Sequence, residues 1–400
     1  MKYITERFRR FCGFVTGLVF FLSGIVKLLD PVGAGLVMDE YFEFMHLGFL
    51  SFTAKLAGTA FAFAEAVIGT ALITGVWRKA TGIAALAFQG FFTLLTLALV
   101  IFNPEMDCGC FGEAIHLTHM QTFIKNLILI ALLCIAFIPT DNLGIPKKRK
   151  IVSFGIVTMA VMVFTIYSWM YIPMTDFTDF KPGAELAAGN TSAEDMYEAV
   201  FTYEKDGKQE SFDLENLPDS SWTFVSVETV LKKGMTPPVS LSFTDTDGEY
   251  RDNEAAYGKV MTVSFYDTDV KNGRWTRTAR FIQNAEEAGF RVLILAADTP
   301  EHMAGILAGI PADDAETLSR ALYYSDYKSL ITLNRSNGGA TYFHDGILVR
   351  KWAQRALPDK EKMNEIAGEH GIETSMDKDT KGSLAFQGFL LYVFAVMLLL

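Results

Sequence analysis

Hydrophobic residues in this chain fall into long unbroken runs up to about residue 172 and into short alternating ones after it. The runs at 11–29, 49–76, 81–102, 121–139 and 151–172 are each near the roughly 20 residues that cross a bilayer core, so they predict five spans. The uncharged tail 384–400 is just long enough for a sixth. Between residue 173 and about 380 the pattern is that of a water-soluble domain. Residues 196–205 and 208–214 about an Asp206-Gly207 turn predict a hairpin, and 222–232 a third strand. After Pro237-Pro238 the expected strands are 260–266, 291–297, 322–325, 340–344 and 347–352, and the expected helices 275–288, 300–307, 327–334 and 359–370. Strands alternating with helices and ending in a hairpin plus helix predict a three-layer α/β domain. Residues 377–381 form a polar linker.

Composition agrees with a membrane protein: half of the 400 residues are hydrophobic, 33 of them Phe, and mean hydropathy is +0.23. Charge is divided unevenly. Residues 1–172 hold 13 basic and 10 acidic residues and the remainder 22 and 36, an acidic balance that excludes nucleic acid as a partner and leaves the lipid bilayer as the first one. Lys and Arg collect on the cytoplasmic side. Arg7, Arg9 and Arg10 precede the first span, Arg78 and Lys79 join the second to the third, and Lys147-Lys148-Arg149-Lys150 join the fourth to the fifth. The loops 30–48 and 103–120 are acidic with no basic residue, so they belong outside. Five crossings also put residues 173–380 outside. The start of the chain reads as an anchor rather than a cleaved signal, because its apolar part is long and Leu28-Leu29-Asp30-Pro31, not a small-residue cleavage site, follows it.

The outer loop 103–120 carries the most distinctive chemistry, Asp107-Cys108-Gly109-Cys110-Phe111-Gly112. A Cys-x-Cys pair closes a disulfide only if the backbone turns sharply, which Gly109 permits. Three readings are open: a pair cycling between dithiol and disulfide, a static bridge pinning the loop, or, with His116 and His119, a zinc or copper site of two sulfurs and two nitrogens. Either histidine could instead take the proton released when a thiol attacks. Cys12 and Cys134 read as packing residues toward the cytoplasmic ends of their spans. Residues 135–400 contain no cysteine. Glu65, near the middle of the second span, is the deepest ionisable residue; it pairs with a lysine, stays protonated, or relays protons to a bound quinone. Lys27, Lys55 and Lys125 are expected to snorkel to the outer interface. In the acidic half His302 and His344 read as isolated, and Asp245-Thr246-Asp247-Gly248 reads as a turn rather than a calcium loop.

Residues 1–140 resemble the DoxX and methylamine-utilisation MauE families of four-helix membrane proteins. The resemblance rests on Ser23-Gly24-Ile25-Val26-Lys27-Leu28-Leu29-Asp30-Pro31, on Ala64-Glu65-Ala66-Val67-Ile68-Gly69 and, most specifically, on Cys108-Gly109-Cys110-Phe111-Gly112. These families are similar in outline to quinone-linked four-helix enzymes that oxidise periplasmic thiols through Cys-x-x-Cys, where this chain has Cys-x-Cys. The resemblance implies a redox-associated membrane protein and supplies no substrate. Together with the loop charges and the residues above, the leading reading is a protein of the bacterial inner membrane with a cytoplasmic N-terminus that exchanges thiols and disulfides, or is accessory to an enzyme that does. Its expected partners are extracytoplasmic thiol or envelope proteins, with Cys108, Cys110, Glu65, His116 and His119 as the catalytic candidates and quinone as the candidate cofactor. Residues 236–370 resemble a thioredoxin-like fold, but the loop 267–275 has no cysteine and Gly338-Gly339 replaces the proline before the hairpin. The expected organisation is a four-helix domain at 1–140, a basic loop and fifth helix at 141–172, and a β-rich subdomain at 173–235. A cysteine-free thioredoxin-like domain at 236–372 and a linker with a last transmembrane helix at 373–400 complete it. The rival reading is a membrane-anchored binding or scaffold protein whose second domain binds a partner or covers the cysteine loop.

Overall fold

The computed structural model describes residues 2–106, 108–115, 117–138, 147–187, 197–205, 208–214, 216–219, 221–231, 238–368 and 384–397. It divides into two compact units, Met1–Phe177 with Thr380–Leu400, and Thr178–Asp379.

In the first unit, apolar runs too long for any strand become helices α1 (Lys2–Leu29), α3 (Ala54–Thr74, entered through a 3-10 turn at Gly48–Thr53), α4 (Arg78–Phe102), α5 (His119–Phe137) and α6 (Lys148–Met170). All five are long and apolar enough to span a bilayer, and the chain is a multi-pass membrane protein. Residues 30–48, expected as a loop, instead contain helix α2 (Pro31–Phe44). Its start was written in the sequence: the Asp30 carboxylate accepts from the Val32 and Gly33 N–H groups at 3.1 and 2.9 Å, and Pro31 fills the first position, where a missing N–H costs nothing. The C-terminal helix has 14 described residues, Leu384–Met397. It packs through Val393 and Met397 against Val157, Val161 and Phe164 of α6.

The most extensive helix contact is between α1 and α3, and small residues make it close. A Cβ on Gly24 would lie 2.6 Å from the Ala66 nitrogen and 2.7 Å from the Ala62 carbonyl oxygen; one on Gly69 would lie 2.4 Å from the Phe21 nitrogen. Backbone meets backbone at both places, and helices in lipid associate largely by such close approach.

In the second unit, β2 (Tyr197–Lys205), β3 (Lys208–Asp213) and β4 (Thr223–Leu231) form an antiparallel sheet of order β3-β2-β4. A five-stranded sheet of order β7-β6-β5-β8-β9 follows, from β5 (Lys259–Phe265), β6 (Arg291–Ala296), β7 (Leu322–Tyr324), β8 (Gly339–His344) and β9 (Ile347–Trp352). β5, β6 and β7 are parallel, and β8 returns antiparallel to β5. The connecting helices are α7 (Asn272–Glu287), α8 (Pro300–Leu307), α9 (Ala312–Arg320), α10 (Tyr327–Leu333) and α11 (Lys360–Gly368). α9 was not anticipated, because its acidic sequence Ala-Asp-Asp-Ala-Glu-Thr-Leu-Ser-Arg buries only Leu318. Alternate residues of β5 and β6 feed two cores. Met261, Val263, Val292 and Ile294 pack with Trp275 and Ile282 of α7 and Met363 of α11, while Val260, Leu293 and Leu295 pack with Leu330 and Leu333 of α10. A sheet buried on both faces makes three layers.

His302 is not isolated. Its Nδ1 lies 2.6 Å from Asp298 Oδ2, and Thr268 Oγ1 donates to the same carboxylate. His344 Nε2 lies 3.7 Å from Asp345. The bond to Asp298, reinforced by its charge, holds the His302 imidazole above its ordinary range. Burial raises Asp298, but bonds from Thr268, His302 and the Thr299 N–H outweigh it and hold the carboxyl below its ordinary range.

Two outcomes follow. Gly69→Leu should destabilise the membrane unit by about 1–3 kcal/mol or more through overpacking, whereas Gly90→Leu, whose Cβ would meet nothing within 4 Å, should leave thermal unfolding in detergent unchanged. The stability from His302 is complete below about pH 6.5 and lost as pH rises through its elevated folded value; that from Asp298 is present above about pH 3.9 and lost as pH falls through its depressed one. An NMR titration of labelled histidine should place His302 above the ordinary range in the wild type and back within it in Asp298→Asn.

Candidate functional site

The cysteine loop leaves α4 at Asn103 and reaches α5 through the short strand β1 (Cys110–Glu113). Gly109 has φ +56°, a left-handed conformation that side chains disfavour, and a Cβ there would come within 2.2 Å of Val37 Cγ1 on α2. Glycine is therefore required twice over, for the turn and for the contact.

Each cysteine is held from a different side. The Cys108 carbonyl accepts from the Tyr41 hydroxyl of α2 at 2.7 Å, and the Cys110 carbonyl accepts from Ser23 Oγ of α1 at 2.6 Å. Cys108 is buried beside Tyr41 and Leu99, Cys110 is half-buried, and neither is in a disulfide. Cys108 Sγ lies 2.8 Å from His119 Nδ1. His119 is the first residue of α5, fixed by a reciprocal cap in which Thr118 Oγ1 accepts from the Gln121 N–H and the Gln121 side chain accepts from the Thr118 N–H. Its other nitrogen, Nε2, is 3.0 Å from the Pro104 carbonyl oxygen. A carbonyl only accepts, so Nε2 carries a proton and Nδ1 is left to receive one from the thiol, or to donate it back to a thiolate. A sulfur nucleophile, a base in contact with it and a group orienting the base are all present.

Beneath the loop is a cavity of about 60 Å³ whose walls include Cys108, Cys110, Lys27, Glu65, Gln89 and Asn126. Glu65 does not stand alone, and Lys27 does not snorkel. Their Oε2 and Nζ are 2.7 Å apart and both side chains are largely buried. Lys55 and Lys125 lie over the Trp169 and Phe111 rings at 4.9 and 5.0 Å. Asn126 Nδ2 donates to Thr96 Oγ1 at 3.1 Å, whereas Gln89 Nε2, buried in the same wall, finds no acceptor among the described residues. A buried donor left unpaired costs about 1–3 kcal/mol, and water is small enough to relieve it here. Tyr41, Ser23, Gln89 and Asn126 were not singled out from sequence. The two amides could have been, since uncharged amides inside apolar spans carry the same signal, more weakly, as Glu65.

His116 and Asp107 lie outside the described residues. Among the described residues no three His, Cys, Asp or Glu side chains converge to hold a metal ion. Cys12 is buried in a separate cluster with Phe20, Leu72 and Leu133.

Residues 5–139 match the family described as methylamine utilisation protein MauE, and every residue lining the cavity falls inside that match. Residues 197–234, a range that includes the three strands β2, β3 and β4, match a domain of unknown function, DUF8463. No curated protein and no solved structure matches the chain.

Removing one partner of a buried ion pair costs about 3–5 kcal/mol, while replacing both with apolar residues is often near neutral. Lys27→Met and Glu65→Leu should therefore each lower the melting temperature in detergent more than the double variant does. Additive losses would show the two groups to be uncoupled.

Proposed function

We propose that the membrane unit exchanges thiols and disulfides through Cys108 and Cys110, or serves an enzyme that does, passing electrons between extracytoplasmic thiols and membrane quinone. The reading rests on the 2.8 Å contact between Cys108 Sγ and His119 Nδ1. His119 Nδ1 takes the Cys108 proton, and the thiolate attacks a sulfur of a partner disulfide. The partner's S–S bond breaks, a mixed disulfide forms, and the departing sulfur takes up a proton. Cys110 then attacks Cys108 Sγ, closing the Cys108–Cys110 bond and releasing the partner's second thiol. Two electrons and two protons have moved from the pair to the partner. Run backward, the same steps oxidise a partner dithiol, and the pair then passes two electrons and two protons to a quinone, which becomes a quinol.

The cavity is smaller than the roughly 150 Å³ that accommodates a benzene ring. A quinone would therefore meet the cysteines from outside it, leaving water, Gln89 and the Lys27–Glu65 pair to handle protons. The basic loops at 7–10, 78–79 and 147–150 support a cytoplasmic N-terminus in a bacterial inner membrane, with the cysteine loop and the second unit outside. In the second unit, the parallel β5-α7-β6 step, the β8-β9 hairpin and α11 support a thioredoxin-like reading. Its loop after β5 has Tyr266, Asp267 and Thr268 where thiols would stand, which favours binding a partner over catalysis.

Alkylation trapping tests this. Wild-type protein treated with a soluble quinone should convert Cys108 and Cys110 to a disulfide, and Cys110→Ser should accumulate mixed disulfides. His119→Ala should slow alkylation of Cys108 near neutral pH by about tenfold or more. A pair unchanged by quinone and by dithiol reagents, with unaltered Cys108 reactivity in His119→Ala, would sink the proposal and leave the membrane-anchored binding protein.

A further inference from the structure

Toward the other end of α1 from the cysteines, four helix termini converge with the side of α1 on a second concavity. The third turn of α1 brings Arg10, the starts of α4 and α6 bring Arg78 with Thr81 and Lys147 with Lys150, and the ends of α3 and α5 bring Leu72 to Gly75 and Phe137. The cavity between them is about 350 Å³. Among the described residues that line it, four side chains are cationic and none is acidic. Arg9 adds to the repulsion felt at Arg78, and Glu6 is the acid that opposes it. α4 and α6 both begin here without a side-chain cap, at Trp77 and Lys147. The orphan N–H groups and positive dipole ends of two helices therefore add to the four charges. Lys150 Nζ donates to the Met397 carbonyl at 3.3 Å and Thr81 Oγ1 to the Val76 carbonyl at 2.8 Å, which pins two lining residues to the rim. Phe14, Leu72, Ile73 and Phe137 make the remaining wall apolar.

Cations held this close repel one another, and the arrangement gains stability when an anion of two or more hydrogen-bonding oxygens enters. Guanidinium forks and helix N-termini suit phosphate. We propose that this cavity is a binding site for a phosphate group, supplied by the headgroup of an anionic phospholipid in the leaflet that surrounds these helix ends. The lipid is favoured over free phosphate because cationic and apolar walls adjoin at the level where the spans end, matching a headgroup joined to acyl chains. The site does not depend on the thiol chemistry assigned to the cysteine loop.

The full chain, purified in zwitterionic detergent, would be titrated separately with short-chain phosphatidylglycerol, phosphatidylcholine and inorganic phosphate, following thermal unfolding and lipid retention in native mass spectrometry. Phosphatidylglycerol should bind and raise the melting temperature, and phosphatidylcholine should not. Neutralising one lining cation (Lys147→Gln) should weaken binding about fivefold and two (Arg10→Gln with Arg78→Gln) about twenty-fivefold, while Arg10→Lys should retain most of it. Lys147→Gln, at the exposed helix start, serves where the arginine variants fail to fold. Inorganic phosphate as effective as phosphatidylglycerol would overturn the lipid assignment. Equal binding of the two lipids, or no change in Lys147→Gln and in the variant carrying both Arg10→Gln and Arg78→Gln, would overturn the site.

Discussion

The backbone contact of α1 with α3 is the constraint on which the membrane unit depends. Gly24 and Gly69 let the helices touch without side chains between them. Lys27, one turn beyond Gly24, thereby reaches Glu65, one residue before Ala66. A carboxylate and an ammonium that would each be costly alone in an apolar bundle are tolerable as a hydrogen-bonded pair. The same turn of α1 carries Ser23, which fastens the Cys110 carbonyl. One helix face thus fixes the interhelical spacing, the buried charge pair and one end of the cysteine loop.

The loop itself is irregular backbone at the edge of a membrane bundle, where unpaired polar groups are expensive. Its carbonyls are met by hydroxyls from α1 and α2, and its thiol by an imidazole from α5. Three separate elements therefore hold the two cysteines. Cys108 lies in contact with an imidazole, whereas Cys110 is the more open of the two.

The second unit has a different economy. Its stability comes from a sheet with apolar residues on both faces, and Trp275 of α7 stacks on Phe265 of β5 at 4.2 Å between ring centroids. Polar chemistry collects at the carboxyl ends of the parallel strands, where Thr268 and His302 are both bonded to the Asp298 carboxylate and the Asp267 carboxylate accepts from the Asp269 N–H. These bonds order the loops that follow β5 and β6. They supply no thiol, so electron transfer proposed for this protein falls to the membrane unit.

Much of this was legible in the residues. Five apolar runs set five spans because hydrophobic length alone decides whether a helix crosses, and alternating β-branched and aromatic runs set the strands of the second unit to within a few residues. The Cys-Gly-Cys sequence announced a tight turn, since only glycine takes its backbone angles cheaply. What the sequence could not supply was adjacency. That Lys27 turns inward rather than toward water, that His119 and not another base meets Cys108, that Tyr41 and Gln89 belong to the site, and that Arg10, Arg78, Lys147 and Lys150 share one cavity all depend on which helices touch. Helix contacts are set by small residues and shape over the whole bundle. Residues 38, 87 or 140 positions apart become neighbours only when the tertiary packing is complete.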